Sequence, residues 1–268
     1  MSTTRGDAST RRAAGASRPA PLFRVRDLLP RSEQGAKRAL PPGQRAIGSF
    51  PRYGTHFARR DPAIPARPRI VLTGPGIAAE VYAESLEELP RVEIVADFHC
   101  VAGWTARDVH WEGVRFRDVY ETFVVPGRDA GAAINYIRAV GRDGFRAVLA
   151  LEDALADDVL IADRLHGAPL PPGHGAPFRL LSVSQYGYKS VKWLERVEFH
   201  TKQPSDRHRR LHMAVAIKAV APHPRARVWH EERHRLLPAR SVRFLYLRVI
   251  HVIAYLLGHL GGRLSRRG

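Results

Sequence analysis

Cys100 is the single cysteine among 268 residues. It stands in the stretch Asp97-Phe98-His99-Cys100-Val101-Ala102-Gly103-Trp104. A lone cysteine is ordinarily a small buried hydrophobe with an inert thiol. Its other chemistry is that of a thiolate, a nucleophile and a soft metal ligand. One cysteine forms no intramolecular disulfide, so bridges give no sign of redox compartment.

Two further stretches bear on that choice. His174-Gly175-Ala176-Pro177-Phe178-Arg179 sets a histidine and an arginine around a turn. Tyr186-Gly187-Tyr188-Lys189-Ser190-Val191-Lys192-Trp193 sets two lysines and a serine beside backbone that a glycine leaves accessible. Arginine, lysine and exposed N–H groups suit a phosphate or pyrophosphate. Neither stretch is a P-loop or a G-x-G-x-x-G fingerprint, which excludes the common nucleotide sites. Taken singly, His174 is equally a loop histidine, and Lys189 and Lys192 equally a solvated strand face.

The elements around them are short. Arg69–Gly74 reads as a strand ending at a turn, and Arg91–Phe98 as a half-buried strand that delivers Cys100 to its end. Ser85–Pro90 reads as a short helix with Ser85 as its N-cap and a proline stop. A turn over Trp111–Gly113 leads into a short helix or strand, and Ala133–Val140 and Val148–Leu151 read as strands about an Asp143-Gly144 turn. A helix starts at Leu151, and Val159–Leu165 is a further apolar run. Phe178–Val183 and Leu194–Phe199 read as strands. Without a regular βαβ rhythm, this mixture predicts an α+β fold with a β-rich core.

The charge of +17 is unevenly spread: residues 1–60 carry +10, 61–200 carry −5 and 201–268 carry +12. Basic ends suit an anionic lipid surface, nucleic acid or an acidic partner. Residues 1–45 are rich in Arg, Ala, Ser, Pro and Gly and are expected to be a disordered basic tail, with Leu22–Val25 as a docking run. Residues 46–200 form the expected catalytic or binding domain, and 201–268 a basic connector with a C-terminal amphipathic helix. That helix, Val242–Leu264, has a 14-residue stretch free of Arg, Lys, Asp and Glu, short of the ~20 residues of a membrane span. It lies on an anionic membrane surface or packs on the domain core. Arg11-Arg12 is followed by no apolar segment, so no export signal is read and the expected location is cytoplasmic.

Five blocks in order resemble a known family: His99–Trp104, Trp111–Val114, Asp158–Ala162, Leu170–Leu180 and Tyr186–Leu194. They look like the molybdopterin-binding domain of the sulfite oxidase superfamily, over roughly Phe50 to His200. The resemblance implies a molybdenum held by a molybdopterin dithiolene and one protein thiolate, with Cys100 in the ligand's position. It places His174, Arg179, Ser190, Val191 and Lys192 on the pterin and its phosphate, and Arg52 and Tyr53 on a loop reaching the cofactor. It implies two-electron oxygen-atom transfer on a small, sulfur-containing substrate. Departures accompany it. Arginines that follow the ligand cysteine in sulfite-oxidising members are replaced by Ala102-Gly103-Trp104-Thr105. Their active-site tyrosine falls near Phe145, leaving Arg138, Arg142 or Arg146 as the anion contact. An immunoglobulin-like dimerisation domain does not fit in the last 68 residues, and no haem segment is read. The sequence looks closer to the compact bacterial branch that includes the catalytic subunit of a methionine sulfoxide reductase system. A membrane-associated electron partner, with a peripheral seat at the inner membrane face, follows by analogy. The alternative is a non-catalytic membrane- or nucleic-acid-binding module that retains the fold, although the acidic middle argues against nucleic acid.

Overall fold

The computed structural model describes residues 23–24, 39–52, 61–204 and 223–234. Tyr53, the Val242–Leu264 helix and most of the basic tail lie outside them. The described chain runs β1 (Phe23–Arg24), β2 (Arg45–Ile47), β3 (Arg69–Gly74), β4 (Ile77–Tyr82), α1 (Ala83–Glu87), β5 (Arg91–His99), β6 (Trp104–Arg115) and α2 (Phe116–Phe123). It continues through β7 (Tyr136–Gly141), β8 (Arg146–Ala150), α3 (Leu151–Ala154), β9 (Val159–Leu165), β10 (Ala168–Pro169), β11 (Arg179–Ser182) and β12 (Leu194–His200).

The strands form two mixed sheets. The first has the order β1-β5-β6-β9-β10, with β11 also on β9 and β2 also on β6. The second has the order β4-β3-β12-β7-β8. β1, β2 and β3 pair in parallel with β5, β6 and β12, and the remaining pairs are antiparallel. The α+β class expected from short mixed elements is the class observed.

The apolar run Val159-Leu160-Ile161-Ala162 has its explanation here. Val159 and Ile161 pack toward the second sheet with Ile70, Leu72, Ile137, Leu149, Val197 and Phe199. Leu160 and Ala162 pack on the opposite face with Phe98, Cys100, Trp104 and Trp111. A strand buried on both faces loses the polar alternation of a half-exposed one. The first sheet therefore lies between the second sheet and a separate aromatic cluster, and Cys100 belongs to that cluster. Each buried Leu, Ile or Phe contributes on the order of 1.5–3 kcal/mol.

Two local expectations are corrected. α1 begins at Ala83, with Tyr82 at its N-cap and no side-chain capping bond, so Ser85 lies inside the helix. β4, which pairs along its whole length with β3 up to Tyr82↔Arg69, ends at that point and sets the start. Gly113 is not in a turn but inside β6, at a register shift against β9. A Cβ there would lie 2.1 Å from the Ile161 carbonyl oxygen, so the close approach of the two strands requires the glycine.

Candidate functional site

β5 and β6 form a hairpin, and Cys100 is the first residue of its turn. The Cys100 N–H donates to the Trp104 carbonyl at 2.8 Å, and the Gly103 N–H donates to the Cys100 carbonyl at 3.0 Å. Gly103 takes φ +90°, a conformation that side chains other than glycine's rarely adopt. Gln44 braces the turn from β2's flank: its Nε2 donates to the Cys100 carbonyl at 3.1 Å, and its Oε1 accepts from Thr105 Oγ1 at 3.1 Å. His99 Nδ1 meets the same hydroxyl at 2.9 Å. The Cys100 side chain is 5% exposed. Burial pushes its thiol up to about 12, with the Ala102 amide and the Arg233 charge acting in the opposite direction. At neutral pH it is a thiol that becomes a thiolate only when a positive centre binds it.

The other two sequence stretches are stitched together. The Trp193 amide donates to the Gly175 carbonyl at 3.1 Å and its indole to the Pro172 carbonyl at 2.8 Å. Lys192 Nζ donates to the Gly173 carbonyl at 2.9 Å, and the Leu194 amide to the Phe178 carbonyl at 2.7 Å. Gly175 sits at φ +110°, and a Cβ on it would lie 2.9 Å from both Cα and Cβ of Lys192. The two blocks can approach this closely only because residue 175 has no side chain.

The result is a concentration of positive charge beside the aromatic cluster. Arg179 is 2% exposed. Its guanidinium carbon lies 5.0, 5.1 and 6.0 Å from the ring centroids of Phe98, Trp111 and Phe50. Its Nη1 donates to the His174 carbonyl at 3.3 Å, while its Nε has no hydrogen-bond partner. Burial lowers it to about 9. His174 stacks on Phe50 with ring centroids 4.7 Å apart. Burial, and then the charges of Arg179 and Lys192, lower its imidazole to about 4, so it is neutral, with Nδ1 unpartnered. Lys192 is lowered to about 7, first by burial and then by Arg179 and Arg52. Arg52 is paired at 2.6 Å with Asp61. A buried guanidinium beside a half-buried lysine, with buried ring and guanidine nitrogens left over, forms a donor set for a large anion.

Ser190 and Val191 have different surroundings. Ser190 Oγ accepts from the Ser182 amide at 3.0 Å, and Val191 is fully buried in the core between the sheets. Lys189 is buried rather than solvated, its ammonium donating to the carbonyls of Val148 and Pro224. Arg138 pairs with Glu198 and Arg142 lies 3.8 Å from Glu195, all on strands or turns of the second sheet. Phe50 and Gln44 were not singled out from the sequence, and Thr105 was read only as a departure from the family pattern. No periodic or motif signal marks them, because each acts through a partner distant along the chain.

Residues 76–208 match the family model described as the oxidoreductase molybdopterin binding domain. The chain belongs, through this segment, to the oxidoreductase molybdopterin binding domain family. Similar proteins include the oxidoreductase YuiH of Bacillus subtilis, 38% identical over 116 residues, or 43% of this chain and 56% of that one. Another is the protein-methionine-sulfoxide reductase catalytic subunit MsrP of Xanthomonas campestris, 29% identical over 45% of this chain and 40% of that one. The chain spans about half the length of the curated relatives it matches. Among solved structures, the sulfane dehydrogenase SoxCD of Paracoccus pantotrophus aligns with a TM-score of 0.45 at 21% identity, over 52% of this chain and 40% of that one.

The residues of this molybdopterin-binding domain fit the group its family carries. The unpartnered Arg179 Nε, the unpartnered His174 Nδ1 and Lys192, whose shift comes first from burial, are the groups that would meet an anionic pterin with its phosphate. Cys100, on the adjoining aromatic cluster, carries a soft sulfur of the kind that would suit a metal already bound by sulfur.

Proposed function

We propose that the chain is a molybdenum-cofactor oxidoreductase acting by two-electron oxygen-atom transfer on a small, sulfur-containing substrate, with Cys100 as the protein ligand to molybdenum. The observation that carries this reading is the placement of the one cysteine in a braced hairpin turn. Its aromatic cluster also borders the buried Arg179. When bound, the molybdenum–pterin group supplies the two-electron redox change and the oxygen-atom transfer.

The protein's own part is positioning. Arg179 and Lys192 neutralise the anionic end of the cofactor, and His174, held neutral, donates or accepts a hydrogen bond without adding charge. Arg52 joins them from the loop that Asp61 braces. Ser190 shapes the backbone through Ser182, and Val191 anchors that backbone in the core. The hairpin turn fixes the sulfur, and Phe98, Trp104 and Trp111 keep water from it. An electron partner returns the centre to its starting state. Its proposed seat is the cytoplasmic face of a membrane, reached by the arginine-flanked Val242–Leu264 segment. The relative named as a methionine-sulfoxide reductase subunit supports a sulfur-containing substrate.

Metal analysis of the full chain, produced where molybdenum cofactor is made, tests the reading. About one molybdenum per chain is expected, and Cys100→Ser should abolish turnover of sulfite and of sulfoxides while retaining part of the pterin. Well-folded protein without molybdenum would refute it.

A further inference from the structure

Residues 223–234 lie beyond the matched domain, yet they pack against its cysteine turn. The Tyr186 amide donates to the Ala226 carbonyl at 2.9 Å and the Val228 amide to the Ser184 carbonyl at 3.0 Å. Tyr186, Ala226 and Val228 form a small buried cluster, and Val101, the neighbour of Cys100, packs on it. At the end of this strap is Arg233, 1% exposed.

Its guanidinium ties three segments together. Nε donates to the Tyr186 hydroxyl at 3.0 Å and lies 2.9 Å from Glu231 Oε1. Nη2 donates to the Pro42 carbonyl at 2.7 Å, across 191 positions of sequence. The group lies flat over Gly43, where a Cβ would be 2.8 Å from Nη2. Nη1 has no hydrogen-bond partner and lies 3.7 Å from where a Cβ of Gly103 would stand, in the turn that Cys100 begins. The Gly103 carbonyl in turn accepts from the Arg45 amide at 3.0 Å, so this turn and the segment under the guanidinium move as one. A buried N–H with no acceptor is costly unless something negative comes to face it.

We propose that Arg233 is a positioning residue for Cys100: it locks the turn against the strap and residues 42–45, and it sets a buried positive charge against the turn that carries the sulfur. The inference rests on the molybdenum reading above. Among the described residues Glu231 is the carboxylate that meets it, and burial raises that carboxyl, which weakens the neutralisation. A positive charge next to a thiolate-bound metal stabilises the electron-richer state, so it raises the metal's midpoint potential.

The test uses the full chain carrying its cofactor, with Arg233→Lys, Arg233→Met and Glu231→Gln. Molybdenum per chain, thermal midpoint and the potential of the metal in a redox titration followed by electron paramagnetic resonance are measured. Arg233→Met should lower the potential, Arg233→Lys should restore most of it, and Glu231→Gln should raise it. A purely structural arginine would change the thermal midpoint and leave the potential in place. Arg233→Met protein that holds molybdenum at the wild-type potential overturns the proposal. Should that variant not fold, a potential in Glu231→Gln that is unchanged or lowered overturns it equally. Wild-type protein that folds without molybdenum instead refutes the reading on which this one stands.

Discussion

The Arg179 guanidinium lies beside the rings of both Phe98 and Trp111, 5.0 and 5.1 Å from their centroids, with its Nε left without a hydrogen-bond partner. Burial without a carboxylate partner makes this charge a liability in the empty protein and an asset to an anionic ligand. Arg179→Met should stabilise the cofactor-free protein, by about 1–4 kcal/mol in denaturant unfolding. The same variant should retain at least tenfold less molybdopterin after dialysis, corresponding to roughly 1.4 kcal/mol or more. A cofactor-free protein that is destabilised instead would show the guanidinium to be a structural tie.

Lys192 predicts a pH dependence. Its folded-state pKa, about 7, lies below its ordinary value of 10.5. Between these values the unfolded chain holds more protons, so this residue's contribution to the stability of the cofactor-free protein rises with pH across that window and is flat below it. An anion bound at Lys192 requires the proton, so its affinity should fall as pH rises above about 7, by up to about tenfold per pH unit. Sulfate, whose charge is constant in this range, is the probe, with calorimetry as the readout. Lys192→Arg should remove the dependence, and Lys192→Met should weaken binding at every pH.

Gly175 joins the two halves of the anion site. A methyl there would meet the Lys192 backbone at 2.9 Å in a conformation of φ +110°. Gly175→Ala should cost on the order of 1–3 kcal/mol in unfolding free energy. It should also lower cofactor retention, because Lys192 and the Trp193 amide must shift together.

Lys189 holds the strap to the second sheet through the carbonyls of Val148 and Pro224. Lys189→Met removes the ammonium donor from both carbonyls, at about 1–3 kcal/mol for the buried one on Val148 and less for the half-buried one on Pro224. Limited proteolysis should then cut within residues 223–234 sooner than in the wild type. An unchanged cleavage pattern would show that the strap's other ties, among them Arg225 on Asp153 and Glu152, hold it without Lys189.

Much of the fold was legible from residue types. Val159–Leu165 stands out in the sequence as an apolar run, which the fold makes a strand buried on both faces, and Asp143-Gly144 reads as a turn, with Gly144 at φ +83°. Ser85 misled because capping chemistry is only a local preference. The register of β4 on β3, a long-range pairing, placed the helix start at Ala83 instead. Lys189 misled for a similar reason: a lysine is usually solvated, and only long-range contacts with the carbonyls of Val148 and Pro224 give its ammonium acceptors indoors.

By itself the sequence determined which chemistry was available: one soft sulfur at a strand end, and two basic, glycine-containing blocks that suit an anion. Residue identity and short spacing carry that information, since strand alternation, turns and glycine positions are local properties. Tertiary structure decided which of the cations face one another. It put Arg179 among three aromatic rings, set His174 on Phe50, and seated Arg233 over Gly43 beside the Cys100 turn. The charge, burial and neighbours of these groups depend on contacts between segments far apart in the chain, for which no periodicity or motif exists to be read.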